Sequence, residues 1–523
     1  MIKIFKKVYR DDIAMILAFL VFLGVSAITF YYLNGQITLY ADTMSRLDIA
    51  RKVIDNLNPG LAQLGNVWLP LPQFIMIPLI WNNFLWHSGL AGSITSSTAF
   101  IIAGIYIYLT ALLLTKSKIA SFFSLCIFAL NINILYLQTT AMSETMFLLT
   151  LSATLYYLLK WYYSKNKMYL IPAGASVAAM TLSRYEGWSI FFAGSVTVFI
   201  VAVLRNKKFS EAEGQTILFT ILAITGLIAW TLYLATIFND PFYWLHYYAT
   251  PQATGGVAAV YTQQKPFLSA VWQYFTATVW MDGIIPVTFA ILGSVILLIK
   301  STRERSYYFL IIYMPLALYL FMVLTLQRNT PIVQPTLSIQ NILSDSTSKQ
   351  TGFNIRYGIL LIPLVAILAS YLFSLKKFGI NILFFFIFLV QIYTYFYPTH
   401  TLIYQIPARI YGKPYSSVVN YMKSHYTGGE IMISASSMED QMFQMGFNYR
   451  DFIHEGAGKY WKESIDNPPR YATWVVINYG KKEDAIAIYK KRLRPILDRQ
   501  YNEVFFQEQV GIYKIKTKPY ISI

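Results

Sequence analysis

Long unbroken apolar runs separated by short polar turns dominate the chain. The pattern has neither the two-residue alternation of a half-buried strand nor the single apolar stripe of a surface helix. Crossing a bilayer takes ~20 residues of helix, each rising ~1.5 Å. Runs of that kind fall at Ile13–Leu33, Ile94–Thr115, Ile119–Leu137, Glu144–Tyr163, Met168–Leu182, Trp188–Leu204, Thr216–Ile237, Gly283–Ile299, Tyr307–Leu326, Tyr357–Leu375 and Phe378–Tyr397. The pattern therefore predicts about eleven membrane-spanning helices. A further stretch, Val67–Trp86, is as apolar but carries Pro70, Pro72 and Pro78, which interrupt helical hydrogen bonding. It is read as buried or interfacial structure within a long first external loop (34–93), with Trp68, Trp81 and Trp86 at headgroup depth.

From about residue 398 the patterning changes to that of a soluble domain. Ile431–Ser434 and Thr473–Ile477 read as buried strands, Glu483–Arg494 has helical spacing, and Glu503–Lys516 reads as a closing hairpin. The expected fold class is an all-α polytopic membrane protein with a small α/β domain at its end. The expected domains are 1–397, transmembrane, and 398–523, soluble.

Composition agrees: 56% of the 523 residues are hydrophobic, 13% are charged, and the mean hydropathy is +0.46, outside the range of soluble globular domains. The net charge of +17 does not point to nucleic acid, because the excess sits in the short turns. These carry Lys3, Lys6, Lys7 and Arg10; Lys116 and Lys118; Lys160, Lys165 and Lys167; Arg205, Lys207 and Lys208; Lys300, Arg303 and Arg305; and Lys376 and Lys377. Basic residues are retained inside and suit anionic lipid headgroups. The expected placement is the plasma (inner) membrane, multi-pass, with a retained signal anchor, the amino terminus cytoplasmic and the carboxyl-terminal domain extracytoplasmic. The single cysteine, Cys126, supports neither a disulfide framework nor a thiolate metal site. No Gly-rich phosphate loop is present, so a nucleotide-sugar donor is not expected.

Several charged residues fall at the outer ends of the predicted spans, where burial is expensive without a partner or a function. Asp42 and Asp48 follow the first span and Glu144 opens the fourth. Arg184 and Glu186 share a tight outer turn, and Arg356 precedes Tyr357 at the start of the tenth span. Carboxylates and arginines at one depth on one face suit gripping a lipid-linked phosphate and taking a proton from a hydroxyl. Each has a plainer alternative. Asp42 and Glu144 are placed to cap helices, and Asp48 has Arg51 and Lys52 at the spacing of a local ion pair. Arg184 and Glu186 can pair within their turn, and Arg356 can anchor a span at the interface.

The carboxylate after the first span, the long first external loop, the acidic residue opening the fourth span, the many spans and the outer tail together resemble the GT-C fold glycosyltransferases. These include protein O-mannosyltransferases and the lipid A aminoarabinose transferase. Asp42 with Ile49-Ala50-Arg51-Lys52 is similar to their first-loop pattern, and Pro59–Gly65 with Val67–Pro72 looks like that of a subgroup. Many members have two adjacent acidic residues after the first span, whereas Thr43 follows Asp42 here. The resemblance implies transfer of a sugar from a polyprenyl (dolichyl or undecaprenyl) phosphate to a glycan, lipid or protein acceptor on the outer face, usually with inversion.

In that frame Asp42 is the first candidate for general base and Asp48 the second. Arg356 and Arg184 are the candidates for the leaving phosphate. Glu144 and Glu186 would bind sugar hydroxyls or hold the arginines, and Tyr357 would line the sugar or isoprenoid path. No cofactor is expected. Oligosaccharyltransferases of the same fold use a divalent cation, for which Asp42, Asp48 and Glu144 are the oxygen donors to consider. Two other classes stand beside the enzyme: a transporter or flippase of lipid-linked sugars, and a non-catalytic envelope assembly protein. A transporter calls for polar or broken helices at mid-membrane, whereas the ionisable residues here crowd the outer border.

Overall fold

The structure, a computed structural model, describes residues 2–206, 208–248, 266–328, 355–375, 378–396, 402 and 416–517. Lys207, Lys376 and Lys377, and residues 249–265 and 329–354, lie outside the described residues. The chain divides into two units. One takes Met1–Asn34, Asn66–Pro72 and Ser93–Arg409; the other takes Gly35–Gly65, Gln73–Gly92 and Ile410–Ile523.

The first unit is helical and belongs to a multi-pass membrane protein. Among the described residues seven helices are long and apolar enough to cross a membrane: Asp12–Leu33, Leu90–Thr115, Glu186–Arg205, Phe209–Phe238, Ile284–Arg303, Tyr308–Gln327 and Ile355–Phe373. Phe209–Phe238 shows how they are built. Ala212, Phe219, Ala223, Trp230 and Leu234 are buried on one face, while Ile217, Ile221, Ile228 and Leu232 are exposed on the other, apolar all round as lipid contact requires. Small residues bring backbones together. A Cβ at Gly226 would meet the carbonyl of Ala178, and one at Gly293 that of Leu368.

Helices occupy the other four predicted spans in different forms. The third breaks into Lys118–Ala129 and Ile132–Leu137, because the Asn131 side chain accepts from the amides of Asn133 and Ile134 and starts a new helix. Glu144–Ser164 has 21 residues but is rich in Thr, Ser and Tyr and is largely enclosed by protein. Leu170–Thr181 has 12 residues and Phe378–Thr394 has 17. The proline-bearing stretch forms only the ten-residue helix Leu71–Ile80, about 15 Å long, followed by Asn83–His87, which Asn82 caps.

The second unit combines first-loop segments with the tail. Its sheet has the order β2-β1-β3-β5-β4, with β1 Ile431–Met432, β2 Phe452–Ile453, β3 Trp474–Asn478, β4 Tyr501–Gln507 and β5 Val510–Ile515. β1 is parallel to β2 and β3; β5 is antiparallel to β3 and β4. The hairpin turn is Glu508-Gln509, both at positive φ, the geometry whose twist matches paired strands. The predicted helix begins later than expected, at Lys490 rather than Glu483. The Asp484 carboxylate accepts the amides of Asn478, Ile486 and Ala487 and holds that segment as a turn.

The first-loop helix Ala41–Lys52 is buried on most sides despite its polar sequence. Its end is tied to the tail by Lys52 Nζ to Glu439 Oε1 at 2.9 Å. Just beyond it, Asp55 takes Arg51 and Arg450, both at 2.9 Å, and the amide of Tyr449. Asn56 and Gln63 donate to the carbonyl of Gly456. Arg51 and Lys52 thus pair with Asp55 and Glu439 rather than in the local ion pair with Asp48. Trp86 is 0% exposed inside this unit, whereas Trp81 is 70% exposed.

Candidate functional site

Five of the seven residues singled out in the sequence meet in the first unit. Glu144 is the first residue of its helix, and its Oε1 accepts from Arg184 Nη1 at 2.9 Å and forms an ion pair with Arg356, whose Nε lies 3.0 Å away. Arg184, in the turn before Glu186–Asn206, also bonds Ser143 Oγ at 3.1 Å and, through Nη2, Glu186 Oε1 at 2.6 Å. The Tyr357 ring centre lies 4.8 Å from the Arg184 guanidinium carbon and 5.9 Å from that of Arg356, within range of cation–π attraction. Tyr274 holds that segment by donating to the Tyr357 carbonyl. All four charged side chains are buried.

The cluster is two cations and two anions locked in place. Glu144 and Glu186 hold the arginines, one of the two roles open to them in the sequence, and Arg356 reaches Glu144 through Nε rather than with its two-nitrogen fork. Its Nη1 has the Met142 thioether at 3.7 Å, a weak acceptor. Removing one member of a buried ion cluster strands the others and typically destabilises by about 3–5 kcal/mol. Glu144→Gln is therefore expected to lower the apparent unfolding temperature in detergent more than Asp42→Asn does. A scanning fluorimetry series reads this directly.

The two candidate bases belong to the other unit and differ in setting. Asp42 is half-buried in the first turn of Ala41–Lys52, where the helix N-terminus favours a carboxylate. Asp48 is 0% exposed. Trp86 Nε1 donates to its Oδ1 at 3.2 Å, and the Tyr449 hydroxyl is its other neighbour. Burial, with Glu439 adding to it, pushes this carboxyl well above the usual range despite Lys52. Nearby, burial pushes His454 down to about 3, with Lys52 contributing, and its Nδ1 accepts from the amide of Gly456. Burial alone would lower Lys52, yet Glu439 and Asp48 hold it raised.

A raised carboxyl favours the fold when protonated, and that contribution is lost as pH rises through the folded pKa. A lowered histidine does the reverse: its contribution is present above about 6.5 and lost as pH falls toward 3. Asp48→Asn keeps an acceptor for Trp86 and removes the buried charge, so at pH 8 its unfolding temperature is expected to equal or exceed wild type. A fall of several degrees would mean that the ionised Asp48 supports the fold.

Sequence reading missed the tail's share of this unit. Glu439, Asp440, Tyr449 and His454 lie about 400 residues from the helix they surround, and the sequence offered no signal for them beyond two adjacent acids, Glu439-Asp440, in a stretch otherwise without charge. Two of the oxygen donors considered for a divalent cation have protein partners. Glu144 Oε1 is engaged by two guanidiniums and Asp48 Oδ1 by Trp86, and no group of three or more His, Cys, Asp or Glu among the described residues is placed to hold a metal.

No family model and no curated protein matches this sequence. Solved structures do resemble it. ArnT from Cupriavidus metallidurans, crystallised with undecaprenyl phosphate, is similar over 95% of this chain and 97% of its own, with a TM-score of 0.53 and 10% identity. The Archaeoglobus fulgidus oligosaccharyltransferase, tethered with an acceptor peptide containing the NVT sequon, is similar over 94% of this chain and 72% of its own, with a TM-score of 0.49 and 12% identity. The chain has the GT-C fold of membrane glycosyltransferases.

Proposed function

We propose that the protein is an integral membrane glycosyltransferase that moves a sugar from a polyprenyl phosphate to an acceptor hydroxyl on the outer face, with inversion. The observation that carries this reading is the buried cluster in which Glu144 and Glu186 fix Arg184 and Arg356, set in a fold whose solved counterpart binds undecaprenyl phosphate. Asp42 takes the acceptor proton as the acceptor atom attacks the anomeric carbon. The bond from that carbon to the lipid phosphate breaks, and Arg356 and Arg184 meet the negative charge left on the phosphate. Guanidiniums already held by carboxylates need little reorganisation as that charge grows. Tyr357 packs the arginines and borders the donor. Asp48, enclosed by Trp86 and Tyr449, is the second choice for base. The reading takes no metal.

The test is sugar transfer from a panel of radiolabelled polyprenyl-phosphate sugars in membranes containing the wild type, with and without chelator. Transfer from at least one donor, unchanged by chelator, is the expected result. A wild type that transfers from no donor would shift the reading to a transporter of lipid-linked sugars or an envelope assembly protein.

A further inference from the structure

Two helix breaks in the first unit are tied to one another, and a buried carboxylate at their junction has no partner. One is the break at Asn131. The other is at Gly283, where Phe267–Asp282 ends and Ile284–Arg303 begins. Gly283 has φ +93°, and a Cβ there would lie 2.7 Å from the Gln391 carboxamide, so glycine both permits the turn and admits Gln391. Gln391 Oε1 accepts the amide of Ile285 at 3.2 Å and starts the next helix. Hydrogen bonds join the two breaks: Asn131 Nδ2 and Asn133 Nδ2 donate to the Met281 carbonyl at 2.9 and 3.1 Å, and Asn131 Nδ2 also reaches the Tyr395 hydroxyl at 3.3 Å. The side-chain oxygens of Asn131 and Asn133 are taken too, by the amides of Asn133, Ile134 and Leu402. In this otherwise satisfied layer Asp282 is 0% exposed, and neither of its carboxylate oxygens has a hydrogen-bond partner. We propose that Asp282 is the ligand of a small monovalent cation, bound where the two breaks meet.

A buried carboxylate without a partner is costly, and its place here adds to the cost. Asp282 is the last residue of its helix, where the final carbonyls carry partial negative charge and favour a cation. The two asparagines satisfy the Met281 carbonyl and leave the carboxylate as it is. In membrane proteins, ionisable groups in such surroundings mark ion or proton sites, and interrupted helices hold small cations at the carbonyl ends of their halves. Charge decides the class of ion. One carboxylate balances one positive charge, whereas a divalent ion draws on several acidic or carbonyl oxygens, and among the described residues no group of three or more His, Cys, Asp or Glu is placed to supply them. The titratable groups in the field of Asp282 are the hydroxyls of Tyr274, on its own helix, and Tyr395; both are neutral, and no cation among the described residues pairs with the carboxylate. A proton is the competitor, since a buried carboxylate takes one when no cation neutralises it.

The experiment is thermal unfolding of the full chain in detergent, in sodium chloride and in choline chloride of equal ionic strength, for wild type, Asp282→Asn and Asp48→Asn. Wild type is expected to unfold several degrees higher in sodium, because a ligand that binds only the folded state stabilises it by mass action. The difference is expected to grow as pH rises and protons leave the carboxylate to the ion. Asp282→Asn keeps the shape without the charge and is expected to unfold at the same temperature in both salts, while Asp48→Asn, which removes the other buried carboxylate, keeps the sodium response. Equal unfolding of wild type in the two salts at every pH overturns the proposal, and this comparison needs no variant to fold. A sodium response of full size in Asp282→Asn overturns it as well, by placing the ion elsewhere. Stabilisation of wild type by falling pH with no response to sodium would show that Asp282 carries a proton and no ion. None of these readouts uses sugar transfer, so the cation site and the glycosyltransferase reading fail separately.

Discussion

Asp42→Asn is expected to reduce sugar transfer by about 10²–10⁴-fold, the range that a positioned general base supplies, while leaving the protein folded. Asparagine has the same shape and still accepts hydrogen bonds, but it cannot take the acceptor proton. The charge removed is half-buried at a helix N-terminus, a position worth about 0.3–1 kcal/mol to a carboxylate. Rate and stability therefore separate, and this distinguishes a base from a capping residue. Initial rates with the donor found active in the panel, read against the unfolding temperature of the same preparation, give both numbers. A variant that transfers at the wild-type rate would place the base elsewhere.

Arg356→Ala is expected to lower kcat by about 10²–10³-fold, the loss seen when one donor to a developing negative charge is removed. Arg356→Lys is expected to fall between the variant and the wild type. Lysine restores the charge near the phosphate but offers neither the planar fork nor the Nε contact to Glu144. Truncation to alanine leaves Glu144 and Glu186 both bonded to Arg184, two buried carboxylates on one guanidinium, so a loss of stability is expected beside the loss of rate and the unfolding temperature is read on the same preparation. The lipid phosphate released by transfer should also inhibit the alanine variant less than the wild type. Full activity in both variants would end the phosphate assignment.

The membrane-spanning helices are legible in the sequence because each is a sustained apolar run bounded by charge. The break at Asn131 is not, since the residues on both sides stay apolar and one side chain decides the matter. The five-residue cluster was foreshadowed by a shared predicted depth: Glu144, Arg184, Glu186, Arg356 and Tyr357 were all expected at the same ends of their spans, and the structure joins them. The setting of Asp48 was hidden. Spacing of three and four residues offered Arg51 and Lys52 as its partners, but Asp55 and the distant Glu439 hold those cations at 2.9 Å, and local spacing carries no information about such tertiary competitors. The helix Ala41–Lys52 was obscured for the same reason: its buried face is polar, and the groups that satisfy it come from the tail. The turn Glu508-Gln509 has neither Gly nor Asn to announce it, although the strands that it joins were expected.

The bond from Asn56 to Gly456 spans 400 residues of chain. Protein synthesis runs at about 5–20 residues per second, so on the order of 20–80 s pass between the appearance of one partner and that of the other. Throughout that interval Lys52, Asp55 and Asn56 lack the groups that complete them, and the second unit finishes only when the last quarter of the chain has been made. Biogenesis thus contains a built-in wait, during which the first loop depends on water, lipid or a chaperone to occupy its polar side chains.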